Sequence, residues 1–445
     1  MFSVRPIVTF HSQACISFEY QDRMTLCDPW FEGDVFNRSW SLLKKPNLET
    51  IDFSKLKYIW ISHQHPDHLH FSTLKKIRDL AAPHLPMIYF RERDNKDVVQ
   101  SIRALGFQVI ELKDHERTQM YDDVWVTSFP TGMDCAAVFD VGGTTIFNQN
   151  DCQLDDEEVR ILQKQYPHID TWFFQFSLAG YYANADDIQG LKEAKHKHLA
   201  LIQKYFQAFK PDIYVPFASF VYFSKRGNAY LNDWHVGLRE LRATYPEMPI
   251  QVMYVDDRLL WQDWDLRNEK NIARWEQAKI SEVRIKDIVS VPESDIQEAA
   301  QNFFQQILRL TPAILRPWSM VLKLGDVNRY FVLDLRHCEI RFLQDLSSEG
   351  MDFRDVAGVL NGEDLLFFLR FPWGADTLNI TAAFKVLRPF QWWWLVYFKH
   401  AIYKYHKKWK WYTILLPLAG AILRALKYRR GAELPEVEEF QEKVE

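Results

Sequence analysis

Residues 63–68 read His-Gln-His-Pro-Asp-His. Neutral imidazole nitrogens and carboxylate oxygens are donors that zinc and iron accept. Four such donors on one tight loop do not easily all face a single ion. They divide naturally between two neighbouring ions, His63 and His65 to one, Asp67 and His68 to the other, with Pro66 stiffening the branch. Two chemistries are open to such a pair. A metal-bound hydroxide can attack an ester or lactone, or iron can activate dioxygen while the protein supplies placement.

The elements that position this loop can be read on either side of it. The apolar run Ile59-Trp60-Ile61 ends in Ser62 and reads as a buried strand running out to its edge. A helix follows, with Ser72 as its cap before Leu74, Ile77 and Leu80. Upstream, residues 6–20 read as two short strands around a turn at His11-Ser12, and Met24 to Phe31 continues the sheet until Asp28-Pro29 breaks it. His11 is either a structural hydrogen-bonded histidine or a group approaching the metals. Asp28 is either a turn aspartate or the partner that orients a ligand histidine. Downstream, Met87–Phe90, Phe107–Ile110, Val124–Phe129, Ala136–Val141, Thr144–Asn150, Trp172–Phe176 and Ile213–Phe220 read as strands, with a hairpin turn at Gly142-Gly143. Residues 98–105, 194–209 and 236–244 read as helices.

At the His63–His68 loop the sequence resembles the metallo-β-lactamase superfamily. That resemblance implies an αββα sandwich with the metals at the sheet edge. It also implies a bridging aspartate at the end of a later strand, which falls on Asp151. Further pieces resemble the catalytic module of the CMP-N-acetylneuraminate hydroxylase family over about residues 10–260: Asp28-Pro-Trp, Trp40-Ser-Leu-Leu, Ile61-Ser-His-x-His-x-Asp-His, Ser72-Thr-Leu-Lys-Lys, Met133-Asp, Asn150-Asp-Cys and Pro216-Phe-Ala. That family implies oxygen-dependent hydroxylation of a sugar nucleotide and carries a Rieske domain. The Cys-x-His and Cys-x-x-His pairs of a Rieske centre do not occur here, so a separate electron donor is expected. Where the family has a histidine before the Ala136 strand, this sequence has Thr131 and Asp134. Where it has one after Pro216-Phe-Ala, this sequence has Ser224-Lys225, and His235 lies ten residues on. Asp134 reads as a ligand or a turn aspartate, and His235 as a ligand or a core histidine. The expected metal set is therefore His63, His65, Asp67, His68 and Asp151, with Asp134 and His235 as further candidates. Asp67 and Asp151 are the catalytic candidates. An oxygen-rich set favours iron, with zinc or manganese as alternatives. Lys225 and Arg226 suit an anionic substrate group or form a solvated turn.

Composition bounds the rest. The 445 residues suffice for two or three domains, and 47% hydrophobic with 25% charged content provides a core. Five scattered cysteines without a C-x-x-C fit reduced thiols in a cytoplasmic protein. No secretory signal pattern and no uncharged apolar run of 18 residues is present, so neither export nor a full transmembrane helix is expected.

The expected organisation is α/β. Residues 1–265 form the sandwich and a polar connector follows near residue 270. A smaller α+β domain, 282–387, faintly resembles a sterol-carrier-type lipid-binding domain; a dimerising or lidding domain is the alternative. In it, Ile296–Leu310 reads as an amphipathic helix. Residues 321–324, 329–335 and 338–343 read as strands, residues 353–360 and 362–370 as helices, and residues 378–386 as a strand. Residues 388–430 hold ten Lys and Arg, no acid, and Trp392, Trp393, Trp394, Trp409 and Trp411. That composition fits a helix on an anionic membrane's inner face or an aromatic pack on the protein itself, and not a nucleic-acid surface. Residues 431–445 read as an acidic, disordered tail.

The functional expectation is a binuclear oxygenase hydroxylating a sugar-nucleotide, glycan or lipid-linked small molecule. A zinc or manganese hydrolase of a phosphoester, lactone or amide is the second reading. A lipid-binding membrane protein with a relict site is the third.

Overall fold

The computed structural model describes residues 5–311, 316–317, 319–405 and 415–429. The N-terminal strands β1 (Ile7–Ser12), β2 (Cys15–Tyr20) and β3 (Arg23–Cys27) form an antiparallel meander. A short excursion, β4 (Asp34–Val35) and β5 (Trp40–Leu42), leads to β6 (Leu56–Ile61). Helix α1 (Phe71–Ala81) crosses from β6 to the parallel β7 (Met87–Arg91), and α2 (Asp97–Ala104) from β7 to the parallel β8 (Val109–Leu112). The first sheet runs β1-β2-β3-β6-β7-β8.

A second sheet follows. It contains β9 (Thr118–Tyr121), β10 (Val124–Thr131), β11 (Asp134–Val141), β12 (Thr144–Asn150), β13 (Thr171–Gln175) and β14 (Ile213–Phe217). Its order is β14-β13-β12-β11-β10-β9, with α3 (Asp156–Gln165) and α4 (Ile188–Phe209) as the crossovers flanking β13. The β11–β12 hairpin turns on Gly142 and Gly143, both at positive φ, as a two-residue hairpin loop requires. After β14 the chain kinks at Ala218 (φ 49°) and β15 (Val221–Phe223) leaves the sheet to pair with β5.

The two sheets face each other. β6 sits inside a parallel run and is buried on both faces, which is why it reads as a continuous apolar stretch. Trp60 points inward and meets Phe139 of the other sheet edge-on at 5.5 Å, while Phe18 meets the same ring at 5.1 Å. Ile59 and Ile61 point outward against Leu74 and Ile77 of α1. On the far side, Phe147 and Trp172 pack against Phe209 of α4. Each fully buried side chain of this size contributes roughly 1.5–3 kcal/mol. The layers are thus helix, sheet, sheet, helix.

The expected connector near residue 270 is ordered as helix. After α5 (Leu238–Thr244), α6 (Asp265–Glu282) runs eighteen residues. Ile272, Trp275 and Ala278 recur on one face and bury it, with Asn268 and Asn271 buried beside them on the backbone of Ile250 and Val252, and Trp275 stacks on Phe220 at 3.9 Å.

Helix α7 (Glu293–Leu310) then leads to a five-stranded sheet of β16 (Met320–Leu324), β17 (Arg329–Asp334), β18 (Glu339–Leu343), β19 (Val356–Leu360) and β20 (Phe384–Val386), ordered β18-β17-β16-β19-β20. The sequence reading differs here twice. Residues 356–360, expected as helix, are a strand, because Gly358 lets Trp392 lie flat on the backbone: a Cβ there would sit 2.4 Å from the indole. Residues 378–381, expected as strand, end α9 (Gly374–Thr381), which follows α8 (Gly362–Arg370). The left-handed Ala382 (φ 52°) stops the helix and leaves only Phe384–Val386 as strand.

Helix α10 (Pro389–Tyr405) corrects a further expectation. Its tryptophans do not face outward: Trp392, Trp393 and Trp394 are buried in one apolar cluster with β16, β19 and α7. Trp30, Phe36 and Trp40 of the N-terminal region join that same cluster. Helix α11 (Leu415–Arg429) packs on α10. Trp409, Trp411 and residues 430–445 lie outside the described residues. Among the described residues no helix is long and apolar enough to cross a membrane.

Candidate metal centre

The His63–His68 loop joins β6 to α1 at the edge of the first sheet. It is folded tightly on itself: the amides of His68 and Leu69 both donate to the carbonyl of His65, at 3.0 and 2.8 Å. That turn brings His63, His65, Asp67 and His68 to one side.

Two strained backbone positions bring the rest. Asp28 follows β3 with φ 42°, and its carboxylate accepts from the Ser62 amide at 2.8 Å and faces His68 Nδ1 at 2.9 Å. This leaves His68 Nε2 aimed away from Asp28. Asn150 ends β12 with φ 45°; its side-chain oxygen accepts from the amides of Asp151 at 2.8 Å and Cys152 at 3.2 Å. Non-glycine residues at such angles cost energy and persist where the surroundings hold them. Here they aim Asp151 into the cluster, 3.4 Å from His68 Nε2 and 3.9 Å from His63 Nε2.

Two groups of donors result. His63, His65 and Asp151 offer atoms mutually within 4.8 Å, and so do Asp67, His68 and Asp151. Asp151 is common to both. Asp134, the first residue of β11, lies 3.7 Å from His63 Nε2.

The electrostatics describe a cluster short of positive charge. Burial pushes Asp134 up to about 7, and neighbouring Asp151 adds to the shift. Asp151 is itself held well below the ordinary carboxylate range, because His68 and His63 outweigh its burial. Burial lowers His63, whereas His68 is raised despite burial by Asp151, Asp67 and Asp28. His63 Nε2 and His65 Nδ1 stand only 2.8 Å apart, a separation that needs a proton or a cation between two nitrogens. Asp67 Oδ1, His68 Nε2 and Asp151 Oδ1 are buried and make no hydrogen bond. Buried polar atoms are normally paired. Three unpaired ligand atoms on neighbouring side chains suit the donor set of a metal ion.

One residue of the cluster lay outside the sequence reading. Asp376, on α9, faces His65 Nε2 at 3.2 Å. Burial opposes charging His65, but that carboxylate overrides it and raises the ring to about 9. No spacing signal could have found Asp376, which lies 311 residues from His65 along the chain.

The remaining candidates are elsewhere. Buried His11 contacts Ser17 Oγ at 2.8 Å in the β1–β2 hairpin. His235 is buried under Phe223 at a ring distance of 5.4 Å and is in neither donor group. Lys225 is not a substrate-anion group: it is buried and paired with Asp364 at 2.5 Å and Glu363 at 3.1 Å on α8. Arg226 is exposed on the same turn.

A cavity of about 910 Å³ opens beside His65, walled by the metal loop, α1 and α2 on one side and by α7, α9 and α10 on the other.

No family model matches the chain. Over 240 residues, 51% of its length, it is 24% identical to cytidine monophosphate-N-acetylneuraminic acid hydroxylase of Mus musculus, covering 41% of that protein. Against the enzyme of Danio rerio it is 24% identical over 241 residues, 51% of this chain and 40% of the relative. The chain thus spans about two fifths of the length of these curated relatives. Among solved structures it is similar to CmlA, a diiron beta-hydroxylase from Streptomyces venezuelae, with 16% identity, a TM-score of 0.40, and coverage of 57% of this chain and 54% of that one. It is also similar to the metallo-beta-lactamase fold protein YhfI from Bacillus subtilis, with 12% identity, a TM-score of 0.38, and coverage of 57% and 98%. Two facing six-stranded sheets between helical layers, with the His-x-His-x-Asp-His loop at the sheet edge, make the N-terminal part of this chain a metallo-β-lactamase fold, similar in sequence to the CMP-N-acetylneuraminate hydroxylases over half its length.

Proposed function

We propose that the chain is a metalloenzyme with a binuclear centre that hydroxylates a small molecule in an oxygen-dependent reaction. The observation that carries the metal centre is the set of orphaned buried donors, Asp67 Oδ1, His68 Nε2 and Asp151 Oδ1, lying within two donor groups that share Asp151.

In this reading His63 and His65 would hold one ion and Asp67 and His68 the other, with Asp151 available to both. Asp28 fixes the His68 ring through Nδ1 and leaves Nε2 for the ion. Asp376 does the same for His65 through Nε2 and leaves Nδ1. Asp134 is a further carboxylate beside His63. With Asp134 the set holds three carboxylates and three imidazoles, an oxygen-rich donor set that favours iron over zinc. Iron bound there would supply the oxidant for inserting oxygen into a C–H bond. The protein's part is to place the substrate in the adjoining cavity and exclude water from it. The hydroxylase relatives support this reaction class. Electrons reach the site from a donor outside the residues of this sequence.

The test is turnover under two atmospheres. Product that carries label from labelled dioxygen, and only with a reductant present, fits the proposal. Equal turnover without oxygen would transfer the site to metal-assisted hydrolysis.

A further inference from the structure

The cavity beside His65 has walls of unequal character. Bulky apolar side chains, Phe36, Phe71, Phe367, Trp373 and Ile402, stand beside polar ones such as Asn37, Gln64, Asn95 and Gln306. Phe71 and Trp373 remain 37% and 46% exposed at its mouth. Large exposed aromatics around a cavity mark a surface that expects an apolar ligand.

The acids of the lining are mostly committed. Asp376 faces His65, and Asp34 pairs with Lys286 at 2.7 Å. One buried cation of the lining is not matched by an acid among the described residues. Lys399 of α10 lines the cavity and is 2% exposed. Its ammonium donates to the Leu369 carbonyl at 3.0 Å and stands 4.0 Å over the Phe303 ring. No carboxylate forms an ion pair with it among the described residues, and burial alone pushes it down to about 7. A buried ammonium without a counter-charge is costly unless something supplies one. Arg309, exposed at the end of α7, also lines the cavity.

We propose that this cavity binds an anionic amphiphile, its carboxylate or phosphate head held by Lys399 and its apolar body lying along Phe36, Phe367 and Trp373 toward His65. The anion restores the charge that burial suppresses on Lys399. The assignment of a reacting end to the His65 side rests on the metalloenzyme reading; the binding itself does not.

The test is calorimetric titration of the full chain, metal-loaded and chelator-stripped, with decanoate, decyl phosphate, decanol and cytidine monophosphate. The expected result is that one or both decyl anions bind at least about tenfold tighter than decanol, and that cytidine monophosphate binds more weakly still. Which anion wins distinguishes a carboxylate from a phosphate head. In Lys399→Met, which keeps the apolar stem, the anion preference should fall to within about twofold while decanol affinity stays unchanged. Unchanged decanol affinity also reports an intact fold. Trp373→Ala, at the rim, should weaken all three decyl probes together. Decanol binding as tightly as the anions, cytidine monophosphate binding tighter than either, or a preference that survives Lys399→Met overturns the proposal. If the preference holds in a chain that takes up no metal, the metalloenzyme reading fails and this inference stands.

Discussion

Replacing Asp376 by alanine removes a contact that ties a helix of the C-terminal region to a metal-loop histidine. The carboxylate faces His65 Nε2 at 3.2 Å, with the two side chains 28% and 18% exposed. A hydrogen bond to a charged group is worth about 1.5–3 kcal/mol when buried, and partial exposure reduces that. Taking about 1.4–2 kcal/mol, metal affinity should fall roughly 10–30-fold, within the range that partners of ligand histidines command. Asp376→Asn keeps an oxygen that can accept from Nε2–H but loses the charge, so its effect should be a few-fold. The assay is competition against a chromophoric chelator using metal-stripped protein, with melting of the metal-free protein as the control for folding. The reasoning is refuted if Asp376→Ala binds metal within twofold of the parent, or if the alanine and asparagine variants lose affinity equally.

Two further outcomes are expected away from the metals. Burial holds His235 down at about 3 and His198 at about 4, against about 6.5 in the unfolded chain. Both pKa values are depressed in the fold, so their stability contribution is complete above pH 6.5 and is lost as pH falls toward 4. At pH 5 each has given up about 2 kcal/mol, so His235→Leu should narrow the pH 8 to pH 5 loss of stability by about 2 kcal/mol in denaturant titrations. Lys225→Met leaves Asp364, already pushed up to about 6 by burial, without its cation. Stability at pH 7 should drop by about 3 kcal/mol, and adding Asp364→Asn should restore most of it; a double variant no better than the single would show that the pair is not what Lys225 supports.

The metal loop was legible because its donors are contiguous and sit at the end of an apolar strand, so one local pattern states both chemistry and place. Asp28 was legible only as one of two readings, because a strand that breaks at Asp-Pro suits a turn aspartate as well as a carboxylate that orients a ligand histidine. Asp376 was not, because it fell in no expected element, the second half of its helix was read as strand, and its partner is brought to it only by packing between regions. Lys225 misled in the opposite sense. A Lys-Arg pair looks solvated until α8 places two acids against it. The Trp392–Trp394 run misled because basic residues flank it, while α10 is buried by neighbours on several sides and so lacks the one-sided pattern of a surface helix.

The most direct measurement is metal identity and stoichiometry on protein prepared without chelator and without oxygen, with His65→Ala and Asp151→Ala beside it. Two irons per chain, an absorption spectrum that changes on exposure to dioxygen, and loss of bound metal in both variants are the expected result. One or two zinc ions indifferent to dioxygen would contradict the oxygenase, and variants that retain the parent's metal would contradict the centre itself.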